Sequence, residues 1–235
     1  EKDEISLLRS YKRRREKYAG KLAVKIIARD TMKRRFGKEY DINAFQVLSS
    51  STPVKVGLFR EQVQKSPLDD MFFSISHNEQ VVCAAVARRP VGIDVETIRT
   101  LAPETVKEIC DERLQKMIEK YRKSGGEMNN SADPDADLLP LALFTQKEAV
   151  LKASGVGLGD GLREVSFDKI SIGSPVNATH RGSRYRVVSR INRGHAYSFA
   201  RLMETPIPSP VSHTTDATNK VVTPSFGQEG IWFQE

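Results

Sequence analysis

The chain has 235 residues, 37 Lys and Arg against 30 Asp and Glu, a formal net charge of +7 and an apolar fraction of 39%. No run approaches the ~20 apolar residues that span a bilayer, and the two cysteines, Cys83 and Cys110, make neither a disulfide framework nor a zinc cluster. A cytoplasmic protein with a polyanionic partner is expected, which leaves nucleic acid, an acidic membrane or a phosphorylated cofactor.

The charge is uneven along the chain. Residues 1–38 hold 14 basic and 5 acidic side chains, whereas the remaining 197 hold 23 and 25. Within that basic stretch Leu22, Ile26 and Met32, with Ala23, Val24 and Ile27, give a helical apolar rhythm that predicts an amphipathic helix over residues 12–36. A short strand is expected at 45–48, then a loop from Ser49 through Pro67. Residues 71–76, 81–87 and 91–95 are apolar runs rich in aromatic and β-branched residues and predict three strands, the first two joined by a hairpin turn. Residues 103–121 predict one helix, with Val106, Ile109, Cys110, Leu114, Met117 and Ile118 on a stripe. Residues 123–140 are polar and read as a loop or insertion, 141–154 predict a second helix, and the glycines from Gly155 to Gly161 stop it. Strands are expected at 164–167, 184–188 and 196–202, and beyond Thr205 an extended tail with Ile231, Trp232 and Phe233 as a docking point. The layout predicts an α+β fold of two similar units, 1–90 and 91–204, with the tail at 205–235.

Three clusters carry chemistry. In Gly92-Ile-Asp-Val-Glu96, Asp94 and Glu96 stand two apart on a strand and share a face, an arrangement of oxygen donors that suits Mg²⁺. An exposed acidic edge strand has the same spacing. In Phe144-Thr-Gln-Lys-Glu148 with Lys152, Glu148 and Lys152 lie one helical turn apart beside Lys147; they read either as a surface ion pair or as a third carboxylate with two ammoniums for phosphate oxygens. Ser76 and His77 end the strand before the carboxylates, and no G-x-S-x-G turn accompanies them, which discounts a hydrolase triad.

Taken together, Ser76-His77, Val91-Gly-Ile-Asp-Val-Glu96 and Phe144-Thr-Gln-Lys-Glu-Ala-Val-Leu-Lys152 resemble the motifs of the 4'-phosphopantetheinyl transferases, in the family's order. Lys152-Ala-Ser-Gly-Val-Gly-Leu-Gly159 and Val165-Ser-Phe-Asp168 resemble the animal type that serves aminoadipate-semialdehyde dehydrogenase. The resemblance implies a pseudo-twofold pair of α+β halves with coenzyme A between them, here without the first strand of the N-terminal half. It implies Mg²⁺-dependent transfer of the phosphopantetheine arm of coenzyme A to a serine of an apo acyl or peptidyl carrier protein, with release of adenosine 3',5'-bisphosphate. Asp94, Glu96 and Glu148 would then hold Mg²⁺; Glu148, Lys152 and Asp94 would be catalytic; and Ser76, His77, Lys147, Lys152, Lys55 and Lys2 would contact the cofactor. Lys55 and Lys2 stand where relatives carry other cofactor-binding sequences. A monomer without membrane contact is expected. The competing expectations are an inert coenzyme A-binding relative and a nucleic-acid-binding module using the basic helix; the latter lacks interleaved aromatics.

Overall fold

The computed structural model describes residues 11–48, 54–58, 66–123, 138–156, 161–203 and 232–234. Lys2, most of the 123–140 segment and most of the tail lie outside the described residues. The architecture is α+β, a mixture of helices and antiparallel sheets.

Helix α1 (Tyr11–Phe36) buries Ala23, Val24, Ile27, Ala28 and Met32 and ends where Gly37 takes φ +64. Gly37 N–H then bonds Lys33 O, and Lys38 N–H bonds Met32 O, which satisfies carbonyls of the last turn. Strand β1 (Phe45–Leu48) pairs antiparallel with β2 (Lys55–Leu58), with Val47 opposite Val56. This corrects the loop expected from Ser49 through Pro67. Four residues that include Gly57 carry too little periodicity to announce a strand, and Val56 is fixed by burial against the β1 side rather than by local preference.

Strands β3 (Phe72–His77) and β4 (Val82–Ala87) form an antiparallel hairpin. One face of it, with Phe73, Ala84 and Val86, packs on α1, and the other, with Cys83, Ala85 and Ala87, packs on the next sheet. Small side chains on β4 let three layers approach closely. Strand β5 (Val91–Thr97) opens that next sheet. The single helix expected over 103–121 is two helices, α2 (Pro103–Ile109) and α3 (Glu112–Lys123). Cys110 is extended (φ −113, ψ 120) and Asp111 Oδ1 accepts the N–H of Leu114 at 2.7 Å. An aspartate that caps a new helix competes successfully with continuation of the old one, while the apolar stripe runs unbroken through Ile109, Cys110, Leu114 and Ile118.

Helix α4 (Leu139–Ser154) starts two residues earlier than expected, with Pro140 in its first turn, and Gly155 at φ 79 ends it. Strands β6 (Ser166–Phe167), β7 (Val176–His180), β8 (Ser183–Asn192) and β9 (His195–Leu202) follow. The sheet order is β5-β9-β8-β7-β6. Strand β7 was not expected, because its inward residues are only Val176, Ala178 and His180, a weak apolar signal. The last strand, β10 (Trp232–Gln234), pairs with the outer edge of β4, giving the order β10-β4-β3.

Sheets β3/β4 and β5/β9 meet at a seam without a backbone ladder. One edge of β5 pairs with β9. At the other edge, the N–H groups of Ile93 and Val95 donate to the hydroxyls of Ser74 (3.1 Å) and Ser76 (3.2 Å) on β3.

Candidate active site

The seam opens into a cavity of about 390 Å³ lined by Lys17, Gly20 and Lys21 of α1, Ile75, Ser76 and His77 of β3, Asp94 and Glu96 of β5, and Glu148 and Lys152 of α4, with Val54. Gly20 belongs to the wall for a steric reason. A methyl at its Cα would stand 3.1 Å from Ile75 Cγ2, so the missing side chain lets α1 approach β3.

Three successive residues set the rotation of α4. Thr145 Oγ1 and Ser198 Oγ are bonded at 2.7 Å, Gln146 Nε2 donates to Ser189 Oγ (2.6 Å) and Ser171 O (2.9 Å), and Lys147 Nζ donates to Leu162 O (2.8 Å). Glu148 and Lys152 are thereby turned into the cavity. Lys147 is the correction to the sequence expectation. It is buried and directed away from the cavity, because adjacent helical residues are rotated by about 100° and a face is shared at i+3 and i+4, not at i+1. Burial lowers its pKa to about 8. Its folded pKa lies below the unfolded one, so the unfolded chain holds the proton between pH 8 and 10.5 and stability rises across that window. Wild type is expected to gain about 1–3 kcal/mol over Lys147→Met there, read from urea midpoints at pH 8 and 10.

Asp94 is 2% exposed. Its Oδ1 accepts from Ser76 Oγ (2.9 Å) and from Lys152 Nζ (2.6 Å), whereas Oδ2 is buried without a partner. Lys152 Nζ also donates to Ser76 Oγ (3.0 Å) and stands 3.9 Å from Glu148 Oε2. Glu96 is half-buried and pairs with Arg99 at 3.2 Å. Burial, followed by the negative charge of Asp94, pushes Glu148 up to about 7 against the opposing pull of Lys152. The same two causes raise Glu96. Burial lowers His77, and Lys152 adds to that. Burial, with Asp94 nearby, pushes the Cys83 thiol up to about 12, which makes it an inert core residue.

Three carboxylates, Asp94, Glu96 and Glu148, and three lysines, Lys17, Lys21 and Lys152, therefore line the same cavity. Among the described residues no three His, Cys, Asp or Glu side chains are gathered closely enough to hold a metal ion. The donor chemistry nonetheless fits a hard divalent cation: three carboxylates line one cavity, one buried oxygen of Asp94 lacks a partner, and burial with the charge of Asp94 raises Glu148 to about 7. A second cavity, of about 500 Å³, adjoins along α1 and the β3–β4 turn and is lined by Tyr11, Lys12, Arg15, Glu16 and residues 78–82. In it the Asn78 Nδ2 is buried without a partner, and Lys12 pairs with Glu79.

The segment that supplies these carboxylates is also the one with a known likeness. Residues 90–200 match the family model of the ACPS type, the 4'-phosphopantetheinyl transferase superfamily. No curated protein matches the chain. The stretch similar to the superfamily runs from the start of β5 into β9 and contains Asp94, Glu96, Glu148 and Lys152. The residues that α1 and β3 bring to the cavity lie before it.

Of the residues expected from sequence, Ser76, His77, Asp94, Glu96, Glu148 and Lys152 come together, Lys147 does not, and Lys2 lies outside the described residues. Lys55 opens β2. Lys17, Lys21, Lys12 and Arg15 were missed as individuals. The one local signal was Gly20, a glycine inside a 26-residue helix, flanked by lysines one turn apart. Among the described residues no helix is long and apolar enough to cross a membrane.

Proposed function

We propose that the protein is a 4'-phosphopantetheinyl transferase of the animal aminoadipate-semialdehyde dehydrogenase type. It moves the phosphopantetheine arm of coenzyme A to a serine hydroxyl of an apo acyl or peptidyl carrier protein and releases adenosine 3',5'-bisphosphate. The observation that carries this is a single one: the segment similar to the superfamily supplies three carboxylates, one of them near pKa 7, to a cavity that lysines of α1 also line. The two α+β units on either side of the seam serve as its halves.

Asp94, Glu96 and Glu148 would hold Mg²⁺, which when bound supplies charge neutralisation for a pyrophosphate. Lys152, with Lys17, Lys21 and His77, holds phosphate oxygens and stabilises the charge that develops on them. Glu148 takes the proton of the incoming serine as its oxygen bonds to phosphorus and the bond to the bridging oxygen of the leaving nucleotide breaks. For the nucleotide end, Lys12, Arg15, Tyr11 and the Asn78 amide of the second cavity offer cations, a ring and a donor beside the expected Lys2 and Lys55.

Incubation with Mg²⁺, coenzyme A and a panel of apo-carriers should add ~340 Da to a carrier by intact mass, the size of the transferred arm. No gain on any carrier overturns the proposal. The rate should fall below about pH 7 as Glu148 takes its proton. Saturating Mg²⁺ should move that limb to lower pH, because a cation favours the carboxylate. A limb that ignores Mg²⁺ would separate Glu148 from the metal.

A further inference from the structure

The bonding around Ser76 points to a role other than ligand contact. A serine hydroxyl has one proton to give and two lone pairs to receive. In Ser76 all three are engaged within the protein: Oγ–H donates to Asp94 Oδ1 (2.9 Å), and Oγ accepts from Val95 N–H (3.2 Å) and Lys152 Nζ (3.0 Å). The residue is 6% exposed. A hydroxyl so engaged has no proton for a phosphate oxygen. Ser74, two residues earlier on the same face, accepts from Ile93 N–H at 3.1 Å, and the pair serves the edge of β5 that has no partner strand.

We infer that Ser76 is a positioning residue: its hydroxyl takes the place of a backbone acceptor at the β3–β5 seam and at the same time locks the Asp94 carboxylate to the Lys152 ammonium. Ser74 repeats the seam half of this arrangement without the active-site half. The two serines thus separate a structural contribution from a positioning one within a single strand. The inference rests on the transferase proposal only for its kinetic readout.

The test compares Ser76→Ala, Ser76→Thr and Ser74→Ala. In phosphopantetheine transfer, Ser76→Ala is expected to lower kcat by about 30-fold or more with the KM for coenzyme A within about 3-fold. Ser76→Thr, which keeps the hydroxyl, is expected to recover most of kcat. Ser74→Ala is expected to hold kcat within about 3-fold while losing a comparable amount of thermal stability, since each change orphans one backbone N–H. A rise of about 10-fold in KM with kcat retained would make Ser76 a cofactor contact and overturn the inference. Equal kcat losses in Ser74→Ala and Ser76→Ala, or no loss in Ser76→Ala, would overturn it as well. If Ser76→Ala does not fold, failure of Ser76→Thr to hold kcat while Ser74→Ala does so overturns it, and recovery by Ser76→Thr supports it. If wild type transfers nothing, the transferase proposal fails, and the seam is read instead from the ¹⁵N resonance of the Lys152 ammonium. That resonance should be protected from exchange in wild type and Ser74→Ala and lost in Ser76→Ala; protection in all three overturns the inference.

Discussion

Glu148→Gln is expected to lower transfer of the phosphopantetheine arm by about 10³-fold while leaving the fold intact. Glutamine keeps the volume and a carbonyl oxygen in the cavity but can neither take the serine proton nor offer a charged oxygen to a cation. A stability measurement separates lost chemistry from a lost fold by sign. The folded pKa of Glu148, about 7, lies above the unfolded one, so between about pH 4.5 and 7 the native state holds the proton that the unfolded chain has released. Wild type therefore loses stability as pH rises through that window, by about 1–3 kcal/mol, and Glu148→Gln does not. At pH 8 the variant should match or exceed wild type in its urea midpoint and show almost no transfer in the mass assay. Activity above about a tenth of wild type would remove Glu148 as the base.

Gly92→Ala is expected to cost about 3 kcal/mol or more in stability and to abolish transfer with it. A methyl on Gly92 would stand 1.9 Å from Ala149 O and 2.6 Å from Ala153 N. Those are backbone atoms of α4, so no side-chain rotation relieves the clash, and the helix must move away from β5. The movement would separate Glu148 and Lys152 on one element from Asp94 on the other, and the 2.6 Å contact between Lys152 and Asp94 would be lost. Gly57→Ala in β2, where nothing lies within 4 Å of the added methyl, is the control and should change the midpoint little. Denaturant titrations of both variants check this; equal midpoints would mean that α4 yields easily.

What the sequence disclosed depended on how local each feature is. Asp94 with Glu96, and Glu148 with Lys152, were legible because strand and helix periodicity each fix a shared face within five residues. Lys147 shows the limit of this. Its neighbours Thr145 and Gln146 fasten α4 to β8 and β9, and that long-range pinning, invisible in the motif, decides which of Lys147 and Glu148 faces the cavity. The basic N-terminal stretch was legible as charge and not as chemistry. Lys17 and Lys21 gain meaning only when Gly20 lets their helix lie on β3. The break at Cys110 was hidden because the apolar stripe continues across it, although Asp111 is a strong capping residue.

Strand β10 pairs with β4 through residues about 150 positions later in the chain, so its closure entropy is set against only a three-residue ladder. Gln234 stands opposite Val82, which lines the second cavity. Residues 232–234 thus border that cavity, and a substitution in them would reach the cavity wall through β4 rather than through any neighbour in sequence.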